Sequence, residues 1–257
     1  FPFIKLSSRI ISDYQGKLLA SGICDNTIGF YLHNIKALFR KGCREMGLEL
    51  PCPFRDISIK TEKTLKRSLD PVVIKTLSAI ELEKDSPLSL ARDIFMFSFY
   101  TRGMSFVDIA LLKKRHVFPG EICYRRHKTD QLMRVGINKE ISRILERYKN
   151  VPGEYIFPLF PAERDPYAGY RNAYHRIRYS LGKISRVIGL EFPLRLHAAR
   201  HSWATIAKVN GASVHVIGEC LGHTSEKTTR IYLKELDHSA LDAVNNQVAD
   251  FILAVDD

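Results

Sequence analysis

The chain has 257 residues, 45% of them hydrophobic, enough for a sizeable core in one large or two modest domains. Its 39 Lys and Arg against 28 Asp and Glu leave a formal charge of +11, which points to a polyanionic partner, DNA or RNA first. An anionic membrane surface is the rival, but the basic residues are spread out rather than gathered on one amphipathic helix, no apolar run reaches the roughly 20 residues of a membrane span, and no secretory signal is evident.

The five cysteines form no C-x-x-C pair and are odd in number, which fits reduced thiols in a cytosolic protein. The first residue is Phe1 rather than Met, so a fragment of a longer protein is expected.

Residues 1–50 read as helical. "SSRIISDYQGKLLASG" predicts one helix and "DNTIGFYLHNIKALFRKGCREMG" a second, with Asp25 or Asn26 as cap and Gly47 as stop. Ile28, Tyr31, Leu32, Ile35, Leu38, Phe39 and Met46 fall at helical spacing. "PCPFRDISIKTEKTLKRSLDP" lacks that periodicity and reads as a linker. The boundary is placed at 62/63, giving a helical domain over 1–62 and a second domain over 63–257.

Asp70-Pro71 and Ser86-Pro87 each open a helix, with the first residue as N-cap and proline at N1. "LARDIFMFSFY" has no polar face and predicts a central, buried helix that Gly103 ends. Ser105 and Asp108 then resemble a capping box. "EICYRRHKTDQLMRVGI" alternates apolar and polar residues around Thr-Asp and predicts a β-hairpin. Helices resume at Lys139 and continue, past a Pro-rich pause, to the end. The fold class is therefore mainly α with a small antiparallel β-sheet.

His197 and Arg200 share one helix face. That helix should stop at Asn210-Gly211, and Ser213 should cap a short one that ends at Gly222. His223 then sits on a turn, and a third helix, from Thr224 or Ser225, would carry Tyr232. Taken singly, each residue has an ordinary explanation as a surface, ion-pair or packing residue. His197 and His201 form an H-x-x-x-H pair, but the metalloprotease glutamate and a third ligand are missing, so no metal is expected.

As an ordered set these residues say more. "LHAARHSWATIAKVNGASVHVIGECLGHTSEKTTRIYL" resembles the C-terminal signature of the tyrosine recombinases, the phage-integrase family: H-x-x-R, then L-G-H some twenty residues on, then a tyrosine nine beyond. "YTRGMSFVDIALLKK" is similar to integrases of bacterial transposons. The resemblance implies an N-terminal core-binding domain on DNA and a catalytic domain. It also implies strand cleavage to a 3′-phosphotyrosine and rejoining, without metal or other cofactor.

By the same resemblance Tyr232 is the nucleophile, Arg200 binds phosphate, His197 and His223 hydrogen-bond it, and His197 handles the phenol proton. Lys128, which would protonate the leaving 5′-oxygen, is otherwise an ordinary turn lysine. Arg125, His127, Arg195 and Lys227 would contact DNA.

The family's first arginine should stand where this chain has Ser105. Arg126 and Arg102 are the replacements considered. Arg126 is favoured because strand alternation would put it on one face with Lys128, roughly 7 Å away.

The expected partner is double-stranded DNA, bound by a homotetramer linked through exchange of the terminal helix (Leu241, Val244, Val248, and Phe251 or Ile252). A free monomer, possible accessory DNA-bending proteins and a place in the bacterial cytosol or nucleoid complete the expectation. A type IB topoisomerase, or a DNA-binding relative impaired by Ser105, are the alternatives.

Overall fold

The computed structural model describes residues 3–60, 62, 68–160, 166–223 and 225–233. The chain forms two compact units, Phe1–Leu65 and Lys66–Asp257.

In the first unit α1 spans Ser8–Ala20, its Ser7 side chain accepting the Ile10 N–H, and α2 spans Asp25–Glu45. The expected cap at Asp25 or Asn26 is corrected. Cys24 holds the N-cap position without a side-chain cap bond. Asn26 instead brackets the backbone of Glu62, accepting its N–H at 2.9 Å and donating to its carbonyl at 3.0 Å. A local cap has lost to a contact 36 residues away.

Ile11, Ile28, Leu32, Phe39 and Phe54 form the core of this unit. Phe54 is 2% exposed, so the first part of the expected linker is a strap that closes that core. Tyr31, Leu38 and Met46 are exposed, because the buried stripe of α2 runs through Ile28, Leu32, Ile35 and Phe39 and leaves them beside it.

In the second unit α3 (Pro71–Ala79) and α4 (Pro87–Tyr100) begin as their Asp-Pro and Ser-Pro pairs predict. Asp70 Oδ1 accepts the Val72 N–H at 2.8 Å and Ser86 Oγ the Ser89 N–H at 3.1 Å. Helix α4 is central, with Ile94, Phe95 and Phe97 fully buried, which explains its lack of a polar face.

Its one buried carboxylate, Asp93, is met by Arg92 and Arg147 at 2.6 Å each and by the Tyr148 hydroxyl at 2.9 Å. Such pairing is what a charge in that position requires. It also ties α4 to α6 (Lys139–Arg147).

Between them lie α5 (Phe106–Ala110) and a three-stranded antiparallel sheet, β1 (Val117–Phe118), β2 (Glu121–Arg125) and β3 (Leu132–Gly136), in that order. Cys123 pairs with Arg134 and Arg125 with Leu132, while Ile122, Tyr124, Met133 and Val135 face the core.

Strand β2 ends at Arg125, which corrects the expectation that Arg126 and Lys128 share a strand face. The N–H groups of Thr129 and Asp130 both return to the Arg126 carbonyl, at 3.3 and 2.8 Å, and Asp130 takes a φ of +53°. The chain therefore reverses at Arg126, and Lys128 stands exposed in the turn.

Four further helices follow among the described residues: α7 (Pro166–Val187), α8 (Leu196–Val209), α9 (Val214–Leu221) and α10 (Glu226–Arg230). Helix α10 is shorter than expected. Tyr232 lies in the turn after it rather than on it, because Leu233, 5% exposed, fills a small core with Ala204, Ile217 and Leu221. The chain bends to place it, with Tyr232 N–H donating to Thr229 O at 2.9 Å.

The apolar stripe expected over 241–252 lies outside the described residues. Among the described residues no helix is long and apolar enough to cross a membrane, and no group of His, Cys, Asp and Glu could hold a metal. The five cysteines are free thiols.

Candidate active site

The residues singled out near the end of the sequence converge on one side chain. The Tyr232 ring has the rings of His201 at 4.8 Å, His223 at 4.9 Å and His197 at 5.3 Å between centroids. The Arg200 guanidinium carbon stands 5.1 Å from the Tyr232 centroid. Helix α8 supplies His197, Arg200 and His201. The turn after α9 supplies His223, and the turn after α10 supplies the tyrosine.

Arg200 is the fixed point. It is 5% exposed, donating Nη1 to Gly103 O at 2.8 Å and Nη2 to Leu221 O and to Nε2 of His223, the latter at 2.9 Å. Its Nε has no partner among the described atoms. Burial first, then the charge of Arg126, lower its pKa to about 10, so it remains cationic at neutral pH. An orphan donor on a buried guanidinium suits an anion that completes the set.

Two glycines make this packing possible. Gly103 has a φ of +74°, and a Cβ there would stand 2.5 Å from Arg200 Cγ. Gly222 has a φ of +63° and lies against Met133, which lets the turn carrying His223 approach the hairpin.

Arg126 donates Nη1 to Gly222 O and so reaches the same turn from the hairpin side. Arg102 goes elsewhere. It sits at a φ of +60°, and its Nη1 donates to Arg134 O at 3.4 Å, on β3. Of the two arginines weighed as replacements, the structure brings Arg126 to the cluster.

Ser105 takes no part in it directly. Its hydroxyl donates to Asp108 Oδ2 at 2.6 Å, and Asp108 Oδ1 accepts the N–H of His127 at 2.8 Å. Asp108 is 5% exposed and thus pins the hairpin between Arg126 and Lys128. Sequence alone gave Asp108 only a capping role. The backbone contact spans 19 residues and has no local signal.

Both outer histidines are held neutral. His197 keeps a solvent-exposed edge. Burial of its ring, then the positive charges of His201, Arg200 and Lys128, nevertheless lower its pKa to about 4. For His223 burial is again the largest cause, followed by Arg200, Arg126 and Lys128, and the value is also about 4.

His201, noted in the sequence only as half of a zinc-like pair, stacks on Tyr232 with its Nδ1 3.2 Å from Tyr232 O. Thr229, fully buried, has its hydroxyl 3.0 Å from Nδ1 of His223. The sequence alone assigned neither residue this role, although Thr229 is among the positions that resemble the family.

The remaining basic residues lie outside the cluster. Arg125 is exposed and bonds Asp130 O at 2.9 Å, His127 is exposed, Lys227 is exposed on α10, and Arg195 is the N-cap residue of α8. A recess of about 660 Å³ beside Arg195 is lined by His175, Arg178 and Arg186 of α7.

The phage integrase family model matches residues 68–238, which include every residue of this cluster. The tyrosine recombinase XerC of Shewanella oneidensis is 26% identical over 226 residues, covering 84% of this chain and 70% of its own length. The tyrosine recombinase XerD of Pseudomonas putida is 36% identical over 94 residues, 34% of this chain and 30% of its own.

Among solved structures, the Tn1549 transposon integrase (residues 82–397, in complex with circular intermediate DNA) aligns with a TM-score of 0.67 at 16% identity, over 95% of this chain and 86% of that one. A lambda integrase (residues 75–356), a dimer bound to a COC′ core site, gives 0.67 at 16% identity over 92% and 84%. With its family model matched over most of its length and its fold shared with these structures, the chain belongs to the phage integrase family, the tyrosine recombinases, and is a site-specific recombinase.

Proposed function

We propose that the chain binds double-stranded DNA and cuts and rejoins it through a 3′-phosphotyrosine on Tyr232. The observation that carries this is the enclosure of Tyr232 by three imidazoles and a buried guanidinium with an unpartnered Nε.

A phosphodiester gathers negative charge on its non-bridging oxygens as it is attacked. Arg200 and Arg126 offer always-charged donors for it, and His223 a hydrogen bond. The phenol oxygen of Tyr232 bonds to phosphorus while the bond to the 5′-oxygen breaks. His197 accepts the phenol proton and Lys128 gives one to the 5′-oxygen. A second 5′-hydroxyl then reverses the sequence on a new strand, so no bond energy is lost. Every group needed is a side chain of this chain.

The first unit acts as the core-binding domain, and Arg125, His127, Arg195 and Lys227 hold the backbone of the DNA. The sites are those of a mobile element, on the resemblance of "YTRGMSFVDIALLKK" to transposon integrases. The protomers assemble as a tetramer on DNA through the segment after Tyr232.

The test is a nicked suicide duplex bearing a site selected by the protein from random-sequence DNA. The unaltered chain is expected to form a covalent adduct, and Tyr232→Phe none. An adduct with Tyr232→Phe would overturn the assignment. Relaxation of supercoiled DNA without site preference would replace it with a topoisomerase activity.

A further inference from the structure

Both ring nitrogens of His223 are engaged. Nε2 lies 2.9 Å from Nη2 of Arg200, and Nδ1 lies 3.0 Å from the Thr229 hydroxyl. A guanidinium can only donate, so Nε2 is the acceptor. In the neutral ring the proton is then on Nδ1 and is donated to Thr229.

This arrangement suits the DNA-free protein and not the bound one. A phosphate oxygen at Nε2 needs a donor there. Nε2 must gain a proton, by protonation of the ring or by a change of tautomer. In the second case Nδ1 becomes a bare acceptor and needs a donor. A hydroxyl serves both states without moving, because it can accept from Nδ1–H or donate to Nδ1.

Thr229 is placed for this and for something more. It is fully buried on α10, and Gly218 of α9 faces it so closely that a Cβ at 218 would stand 2.9 Å from the hydroxyl oxygen. Its backbone carbonyl accepts the N–H of Tyr232 at 2.9 Å. One residue therefore holds the histidine with its side chain and the tyrosine with its main chain.

We propose that Thr229 is a positioning residue that couples the tautomer and orientation of His223 to the seating of the segment that carries Tyr232. The assignment rests on the recombinase reading above. When the segment is docked, the hydroxyl holds Nε2 toward the phosphate. When it is withdrawn, His223 loses its partner and is no longer aimed. Cleavage competence thereby depends on the nucleophile being in place.

The charged and titratable groups facing His223 are Arg200 from α8, Arg126 and Lys128 from the hairpin, and the Tyr232 phenol. Burial of the ring first, and then these three cations, disfavour imidazolium, and a phosphate would offset the cations.

The test has two arms. In the DNA-free protein, long-range ¹H–¹⁵N spectra of the imidazoles should show His223 as the Nδ1–H tautomer, retained in Thr229→Ser and mixed in Thr229→Val. On the nicked duplex, single-turnover cleavage should fall about 10-fold or more in Thr229→Val, by analogy with the loss when a metal-ligating histidine is deprived of its orienting partner. Its pH profile should shift, with DNA binding unchanged, and Thr229→Ser should restore both rate and profile.

Gly218→Ala, which displaces the hydroxyl while keeping it, should lose rate as the valine variant does. If Thr229→Val matches the unaltered chain in tautomer, rate and pH profile, the assignment of Thr229 fails while the recombinase reading stands. If the unaltered chain forms no adduct, the recombinase reading fails and takes this proposal with it.

Discussion

At the scale of single residues the informative position is Ser105, where the family resemblance leads one to expect an arginine. Its hydroxyl is committed to Asp108, and Asp108 to the backbone of His127. No cation reaches the cluster from that slot. On the proposed mechanism the charge comes instead from Arg126, whose guanidinium bonds Gly222 O and which, after burial, is among the causes that lower the pKa of both Arg200 and His223. Losing one preorganised donor of this kind costs about 10²–10³ in rate. Arg126→Ala is therefore expected to cut single-turnover cleavage by that order while DNA retention in a gel changes little. Arg102→Ala, which removes a bond to β3, should do less. Cleavage by Arg126→Ala at the unaltered rate would pass the role to another cation.

At the scale of elements, what was legible in the sequence was whatever local rules determine. Asp70-Pro71, Ser86-Pro87 and Ser213 each capped the helix they predicted, and the apolar run over 90–100 proved central. The misses share a physical cause, a distant contact that overrides a local preference. Asn26 left its expected cap position for Glu62, Phe54 turned a linker into a strap, and Leu233 shortened α10 by filling a core that α8 and α9 build. The site followed the same rule. The order of His197, Arg200, His223 and Tyr232 was readable, whereas the grip of Asp108 on the hairpin and of Gly103 on Arg200 was not. Gly103 gives the measurable case. Its φ of +74° disfavours any side chain, and an added Cβ would lie 2.5, 2.7 and 2.8 Å from Cγ, Cβ and Cα of Arg200, where no flexible end can yield. Gly103→Ala should lower stability by about 2–4 kcal/mol, from overpacking and left-handed strain together. In a urea titration this appears as a lower midpoint at unchanged slope. An unmoved midpoint would mean that the α4–α5 turn does not sit against Arg200 as described.

At the scale of the whole molecule the net charge of +11 becomes a quantitative expectation about DNA. The cations at the cluster around Tyr232, Arg200 and Arg126, are buried or half-buried and held by backbone carbonyls, and on the proposed mechanism they serve the scissile phosphate. Cations of another kind surround it: Arg125, Lys128 and Lys227 are exposed, and Arg195 borders the recess that His175, Arg178 and Arg186 line. A flexible, hydrated cation of this second kind acts by displacing counterions from the DNA backbone, and each phosphate so neutralised contributes about −0.9 to the slope of log K against log salt. Binding should therefore weaken steeply between about 50 and 200 mM salt. Arg195→Ala and Lys227→Ala should each flatten the slope by about one and weaken binding alike on selected and unselected sequences. Arg126→Ala should leave the slope near its original value, because its charge acts at the scissile phosphate in the step after binding. A flat dependence in the unaltered chain would remove the backbone-clamping role from these residues. A flattened slope in Arg126→Ala would move that arginine from the chemistry to the clamp.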